Sequence, residues 1–150
     1  GTGLHISISR TAFADEEHVM RFLLMVYRHP TLSVEVAERD VRHNRWCSLY
    51  DSGERTRGRP AIDYVRRKAA SQYGEKYSAV NVESHRLEVR MFKAPSSTKK
   101  LFAKLCYVHA LHEYTLKYRD LKYMRATLFR QYVQRHKRRY AELAEVLSHA

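Results

Sequence analysis

The sequence predicts an α+β fold: a largely antiparallel sheet with helices packed on one face, and long basic helices at the C-terminus. Three observations predict it. Residues 3–9 and 86–92 alternate apolar and polar side chains at the two-residue period of a half-buried strand. Residues 16–28 and 98–117 space their apolar side chains at the three-to-four-residue period of an amphipathic helix. Two strand-like segments, 77–82 and 86–92, are joined only by Glu83-Ser84-His85, a connection of hairpin length that makes them antiparallel neighbours.

The first strand points Leu4, Ile6 and Ile8 one way and His5, Ser7 and Ser9 the other. The helix over 16–28 sets Val19, Phe22, Leu23 and Val26 on one face. Thr11 or Asp15 caps its start, Glu16 and Glu17 suit the positive end of its dipole, and His29-Pro30 ends it. Thr31 to Val36 reads equally as a short strand or a second helix. Residues 38–60 form a polar loop with a turn at Asp51-Ser52-Gly53 and a basic set in Arg55, Arg57 and Arg59. Pro60 fits the first turn of a helix over 61–72, and Gly74 follows it. In the strand over 86–92, Leu87, Val89 and Met91 share one face, opposite Arg86, Glu88 and Arg90. Ala94-Pro95-Ser96-Ser97 interrupts the pattern, and Ser96 or Ser97 caps a helix running to 117, with Leu101, Leu105, Val108 and Leu111 or His112 on one side. Residues 120–147 lack Gly and Pro and carry an apolar stripe that includes Leu121, Met124, Leu128, Tyr132, Leu143 and Leu147. They read as one long helix, or as two broken near 135–139.

The length of 150 residues predicts one domain's worth of core, with a body over 1–116 and a basic helical extension over 117–150. Apolar residues at 44% and charged residues at 29% exclude wholesale disorder. No apolar run approaches the ~20 residues of a membrane span. Cys47 and Cys106 have neither ligand-type spacing nor a disulfide framework, and read as free thiols of a reducing, cytoplasmic compartment.

Lys and Arg total 28 against 16 Asp and Glu, a formal charge of +12. The excess is concentrated in residues 117–140, which hold nine basic residues and one acid, Asp120. Such a stretch favours polyanionic partners, nucleic acid or an acidic protein surface. Lys122, Arg125, Arg130, Arg135, Lys137, Arg138 and Arg139 are the candidates, and Arg135, Arg138 and Arg139 would share one face of a continuous helix. Tyr118, Tyr123, Tyr132 and Tyr140 are interleaved with them, placed either to stack on bases or to pack against the body.

The polar strand faces form a second constellation. Glu88 and Arg90 are side by side on one strand, and His5, Ser7 and Ser9 on another. In one sheet they would line one cleft. Carboxylate suits Mg²⁺, guanidinium grips carboxylate or phosphate, and imidazole serves either.

These segments resemble the amidoligase family, ATP-dependent carboxylate–amine ligases related to glutamate–cysteine ligase. Gly3-Leu4-His5-Ile6-Ser7-Ile8-Ser9 is similar to its Gly-φ-His-φ-His-φ-Ser motif, where φ is apolar. Lys76-Tyr77-Ser78-Ala79-Val80-Asn81-Val82 is similar to its Arg/Lys-Tyr-x-x-Val-Asn-φ segment. Leu87-Glu88-Val89-Arg90-Met91-Phe92 is similar to its Val-Glu-Phe-Arg-φ-Phe segment. The resemblance spans about residues 3–115. It implies an antiparallel sheet forming an active-site bowl, with ATP and Mg²⁺ activating a carboxylate as an acyl phosphate for attack by an amine. Glu88 would be the metal ligand, and Arg90 and His5 the catalytic pair, one clamping phosphate or carboxylate and the other facing the nucleotide. Ser7, Arg45, Tyr77 and Asn81 would complete the cofactor and substrate site. Two departures stand out. Ser7 replaces the motif's second histidine, and the chain has no Glu-x-Glu to match the family's acidic N-terminal strand. The expectation is therefore a partial or divergent ligase, its missing acids on an upstream portion of the same polypeptide, or a scaffold without chemistry. The competing expectation is a non-catalytic basic domain.

Overall fold

The structure, a computed structural model, describes residues 3–39, 60–74 and 78–148. Three strands form its sheet: β1 (Leu4–Ser9), β2 (Val80–Val82) and β3 (Arg86–Phe92). The order is β1-β3-β2, with both pairings antiparallel. Among the described residues six α-helices accompany it: α1 (Glu16–Arg28), α2 (Pro30–Ala37), α3 (Pro60–Ala70), α4 (Thr98–Lys117), α5 (Ala126–Arg135) and α6 (Ala141–Leu147). The α+β class with an antiparallel sheet and basic C-terminal helices is therefore observed.

Local chemistry accounts for most boundaries. Asp15 Oδ1 accepts from His18 N at 2.8 Å to start α1, and Ser97 Oγ accepts from Lys100 N at 3.2 Å to start α4. Pro30 sits in the first turn of α2, so the His29-Pro30 pair ends one helix and opens the next. The undecided Thr31 to Val36 is thus helical. Of the strand expected over 77–82, the described residues 78–82 form it at Val80–Val82.

The basic C-terminal segment is not one helix. A 3₁₀ turn at Leu121–Tyr123 precedes α5, and α5 stops at Arg135. His136 closes it, with its backbone N–H on the Tyr132 and Val133 carbonyls at 3.1 Å each and its ring Nδ1 on the Tyr132 carbonyl at 2.8 Å. Lys137, Arg138 and Arg139 consequently lie in a turn, and the shared helical face expected for Arg135, Arg138 and Arg139 is replaced by this exposed corner. Tyr132 and Tyr140 on either side go inward, so the corner is where two buried anchors bracket four cations.

One hydrophobic cluster runs from Val19, Phe22 and Leu23 of α1 through Leu87 and Val89 of β3 to Phe129 and Leu143 of the last helices. The C-terminal helices therefore share the body's core. Tyr107 of α4 meets Phe92 edge-on at 6.1 Å, and α1 reaches the outer edge of β2. There Val80 N donates to the Tyr27 hydroxyl at 3.2 Å, which donates to Val80 O at 3.4 Å. The hydroxyl thereby pairs both main-chain groups that an edge strand leaves open. At the other end of the sheet, buried Lys104 binds Glu38 Oε1 at 2.8 Å and the Lys93 carbonyl at 2.9 Å. Glu38 ends α2 in a left-handed conformation, φ 57°. The bond from Lys104 and a second from Lys100 hold its carboxyl below the usual range.

Two predictions follow from these buried polar contacts. Tyr27→Phe leaves the Val80 N–H unpaired, while the Val80 carbonyl keeps its bond from Ser78 Oγ at 2.8 Å, so urea denaturation should show a loss of about 1–3 kcal/mol. Unchanged stability would mean that the edge is satisfied otherwise. The second concerns His18, which is fully buried. Its Nδ1 accepts from Ala14 N at 3.1 Å, while Nε2 faces His112 O and Thr115 Oγ1, both at 3.1 Å. That arrangement suits neutral imidazole, and burial lowers its pKa from 6.5 to about 4. Between those values the unfolded chain binds more protons than the folded one, so stability falls as pH falls, by about 3 kcal/mol in all, and levels off below pH 4. Burial lowers His29 too, which adds in the same direction. His18→Gln should flatten the pH dependence of unfolding across that window. An identical slope in the variant would reassign the effect.

Candidate functional site

The central strand carries the site. Ser7, Glu88 and Asn81 stand directly opposite one another, one from each strand. Between Leu4 and Ile6 the β1–β3 register shifts, so that Arg90 and Met91 of β3 together face His5. This bulge lets Met91 and Phe92 both enter the core while Arg90 stays on the polar face beside Glu88.

Glu88 is almost buried, with 10% of its side chain exposed, yet it is surrounded by cationic groups. Arg90 Nη1 donates to Oε1 at 2.8 Å, and Arg86 Nη2 lies 3.2 Å from Oε2. His5 Nδ1 is 3.7 Å from Oε1. Arg86 also donates through Nε to Glu83 Oε2 at 3.0 Å. The Glu83 hydrogen bond first, and the charges of Glu83 and Glu88 after it, raise the Arg86 pKa and keep it charged. Asn81 Nδ2 donates to Glu83 Oε1 at 3.0 Å. That bond sets the orientation of the amide and leaves Asn81 Oδ1 buried without a partner among the described residues. Arg90 Nε is likewise buried and has no partner among them. Around them His5, Gly74, Asn81, Glu83, Arg86, Glu88 and Arg90 line an open cleft of about 410 Å³. Gly74 packs so close to Asn81 that a Cβ there would collide with the amide.

Of the residues expected in a nucleotide–metal site, the structure thus gathers His5, Asn81, Glu88 and Arg90. Ser7 lies exposed on the same face without lining the cleft. Arg45 and Tyr77 lie outside the described residues. Glu83, Arg86 and Gly74 were not expected as lining residues. Arg86 was legible as a polar-face neighbour of Glu88, but the part of the hairpin residue Glu83 depends on the fold. The arrangement does not fit Mg²⁺ at Glu88 as it stands, because each carboxylate oxygen already faces a guanidinium and a cation there would meet two positive charges. Among the described residues no cluster of three His, Cys, Asp or Glu side chains has a metal-binding arrangement. What the cleft offers is guanidinium donors, an imidazole and one unpaired amide oxygen, the groups that hold an oxyanion and a neighbouring donor.

The basic segment is differently built. Arg130 turns inward, donating to Glu35 Oε2 at 2.6 Å and to the Leu147 carbonyl at 3.4 Å, and so ties α5 to α2 and α6. It is a scaffold contact and leaves the candidate partner surface. Lys122, Arg125, Arg135, Lys137, Arg138 and Arg139 are exposed, and no carboxylate of the described residues lies within 4.0 Å of any of them. The tyrosines pack instead of projecting outward. Tyr118 contacts Tyr114 at 4.8 Å and Tyr123 at 5.1 Å, and buried Tyr132 contacts Tyr114 at 5.2 Å. Burial pushes the Tyr114 and Tyr140 hydroxyls up to about 12.

No family model matches the chain, no curated protein is similar to it, and no solved structure matches its fold.

Gly74 gives the site's structural prediction. In Gly74→Ala the new methyl must displace the Asn81 amide, which should cost about 1–3 kcal/mol in urea denaturation. Asn81→Ala in the same chain should relieve most of that cost. Additive losses in the double mutant would place the strain elsewhere.

Proposed function

We propose that the polar face of the sheet binds a small molecule through a carboxylate or phosphoryl group. The observation that carries this reading is the pair of buried, unpartnered atoms in the cleft wall, Arg90 Nε and Asn81 Oδ1. Buried polar groups are normally paired, and each unpaired one costs about 1–3 kcal/mol. Both atoms are covered as the cleft stands, the Asn81 oxygen by Gly74, so a ligand oxyanion accepting from Arg90, with a hydroxyl or amino group donating to Asn81, satisfies both once these side chains turn toward it. Arg86 supplies a second guanidinium and His5 a further donor when protonated. Glu88 keeps the guanidiniums together while the cleft is empty and gives up part of its hold when an anion arrives.

ATP-dependent joining of a carboxylate to an amine is the specific chemistry that the sequence resemblance adds. It is a narrower proposal, because it requires Glu88 to exchange guanidinium partners for Mg²⁺. Isothermal titration with inorganic phosphate, acetate and ATP, with and without Mg²⁺, separates the two. On the anion reading, phosphate or acetate binds without Mg²⁺. Arg90→Ala then abolishes binding, and Glu88→Gln tightens it about tenfold by removing the competing carboxylate, ~1.4 kcal/mol. On the ligase reading, ATP binds only with Mg²⁺ and Glu88→Gln abolishes it. No heat with any of these probes would remove both.

A further inference from the structure

We infer that the basic corner between α5 and α6, with the cations beside it, is a docking surface for the phosphate backbone of double-stranded nucleic acid. This goes beyond the sheet-face site and rests on different residues. Three basic-Tyr dipeptides carry the argument: Lys117-Tyr118, Lys122-Tyr123 and Arg139-Tyr140. In each, the cation lies over the ring of the following tyrosine, at 5.5, 5.1 and 5.5 Å from its centre. The rings form one continuous floor, Tyr123 touching Tyr118 at 5.1 Å, Tyr118 touching Tyr132 at 6.4 Å, and Tyr132 touching Tyr140 at 6.5 Å. Cations that are far apart in sequence are thus held around one aromatic platform. The turn cations Lys137 and Arg138 extend the set at the same corner as Arg139.

Two features choose the partner. Leu116 beside Lys117 is the one large apolar side chain exposed among described residues 116–148, too little for the cluster of apolar anchors around which protein interfaces are built. Tyr132 and Tyr140 are buried, and the half-buried Tyr118 and Tyr123 each pack against a ring and lie under a cation, which leaves little aromatic face for the unstacked bases of a single strand. Exposed cations without carboxylate partners and without stacking platforms match a regular array of phosphates. Such binding reads charge and backbone spacing and is indifferent to base sequence.

The test uses the whole chain and fluorescence anisotropy, with a short duplex of mixed sequence, a single strand of the same length and poly-glutamate as tracers. The salt range is about 50 to 200 mM. The expected result is duplex binding that is tighter than to either other tracer and weakens steeply with salt. Lys137→Gln with Arg138→Gln, and separately Arg135→Gln with Arg139→Gln, should each make the log–log salt slope shallower by about 0.9 per residue and weaken low-salt binding about tenfold or more. Melting curves accompany both variants. If losing the Arg139 contact with Tyr140 unfolds the second variant, the first carries the test, since Lys137 and Arg138 are exposed and touch no ring. No duplex binding at low salt, or unchanged salt slopes in the folded variants, would overturn the inference. Tighter binding of the single strand would also overturn it, and tighter binding of poly-glutamate would assign the surface to an acidic protein.

Discussion

A single carboxylate, Glu88, sets the terms for the sheet. It stands mid-way along the central strand, in register with Ser7 and Asn81, and takes a guanidinium on each oxygen. Arg86 and Arg90 are alternate residues with Glu88 between them, so they share one face of one strand. Without an acid between them they would repel across a poorly solvated surface. With it they are paired, and the strand can lie between two neighbours and still bury Leu87, Val89 and Met91 beneath. A buried ion pair of this kind is weak evidence of net stability, because desolvation offsets much of the attraction. Its consequence is positional. It holds two arginines at a fixed spacing over a cleft, where a ligand can use them.

The rest of the molecule holds that strand from both ends. Arg10, just after β1, donates to the carbonyls of Ser71 and Glu83 at 2.9 Å each, and joins the end of α3 to the β2–β3 hairpin. The hairpin residue so fixed is the one whose carboxylate orients Asn81 and Arg86. Beyond Phe92, Lys93 N bonds to the Ala37 carbonyl at 2.8 Å, and the Lys93 carbonyl accepts from Lys104. Helices α2 and α4 therefore meet at the strand's exit. The polar cleft depends on apolar packing below it and on these main-chain anchors at its ends.

The two basic regions use the same residue types in opposite ways. On the sheet, arginines are matched by Glu83 and Glu88, and Arg90 Nε is the guanidinium nitrogen there that is buried without a partner among the described residues. At the α5–α6 corner the charges have no carboxylate partner among the described residues, and Arg139 rests on the Tyr140 ring, which orients it without neutralising it. The first arrangement selects a small ligand by hydrogen-bond geometry. The second attracts an extended polyanion by field, a longer-range and less selective force.

The sequence by itself determined the elements whose cause is local. The limits of α1 and α4 follow from Asp15 and Ser97, and β1 and β3 follow from strict alternation of side chains. The shared polar face of His5, Glu88 and Arg90 was legible for the same reason, since a two-residue period assigns each side chain a face. What local pattern could not decide was left to tertiary contact. Thr31 to Val36 is helical because Pro30 opens a helix and Leu32, Ser33 and Val36 are buried against the core. The C-terminal segment breaks at His136, with no Gly or Pro to announce it, and Tyr132 and Tyr140 on either side of the break are both buried in the core. Arg130 and Arg138 look alike in sequence. Only the fold brings Glu35, 95 residues away, to the first and leaves the second in solvent. Ion pairing between residues distant in the chain is a property of three-dimensional proximity, and periodicity carries no record of it.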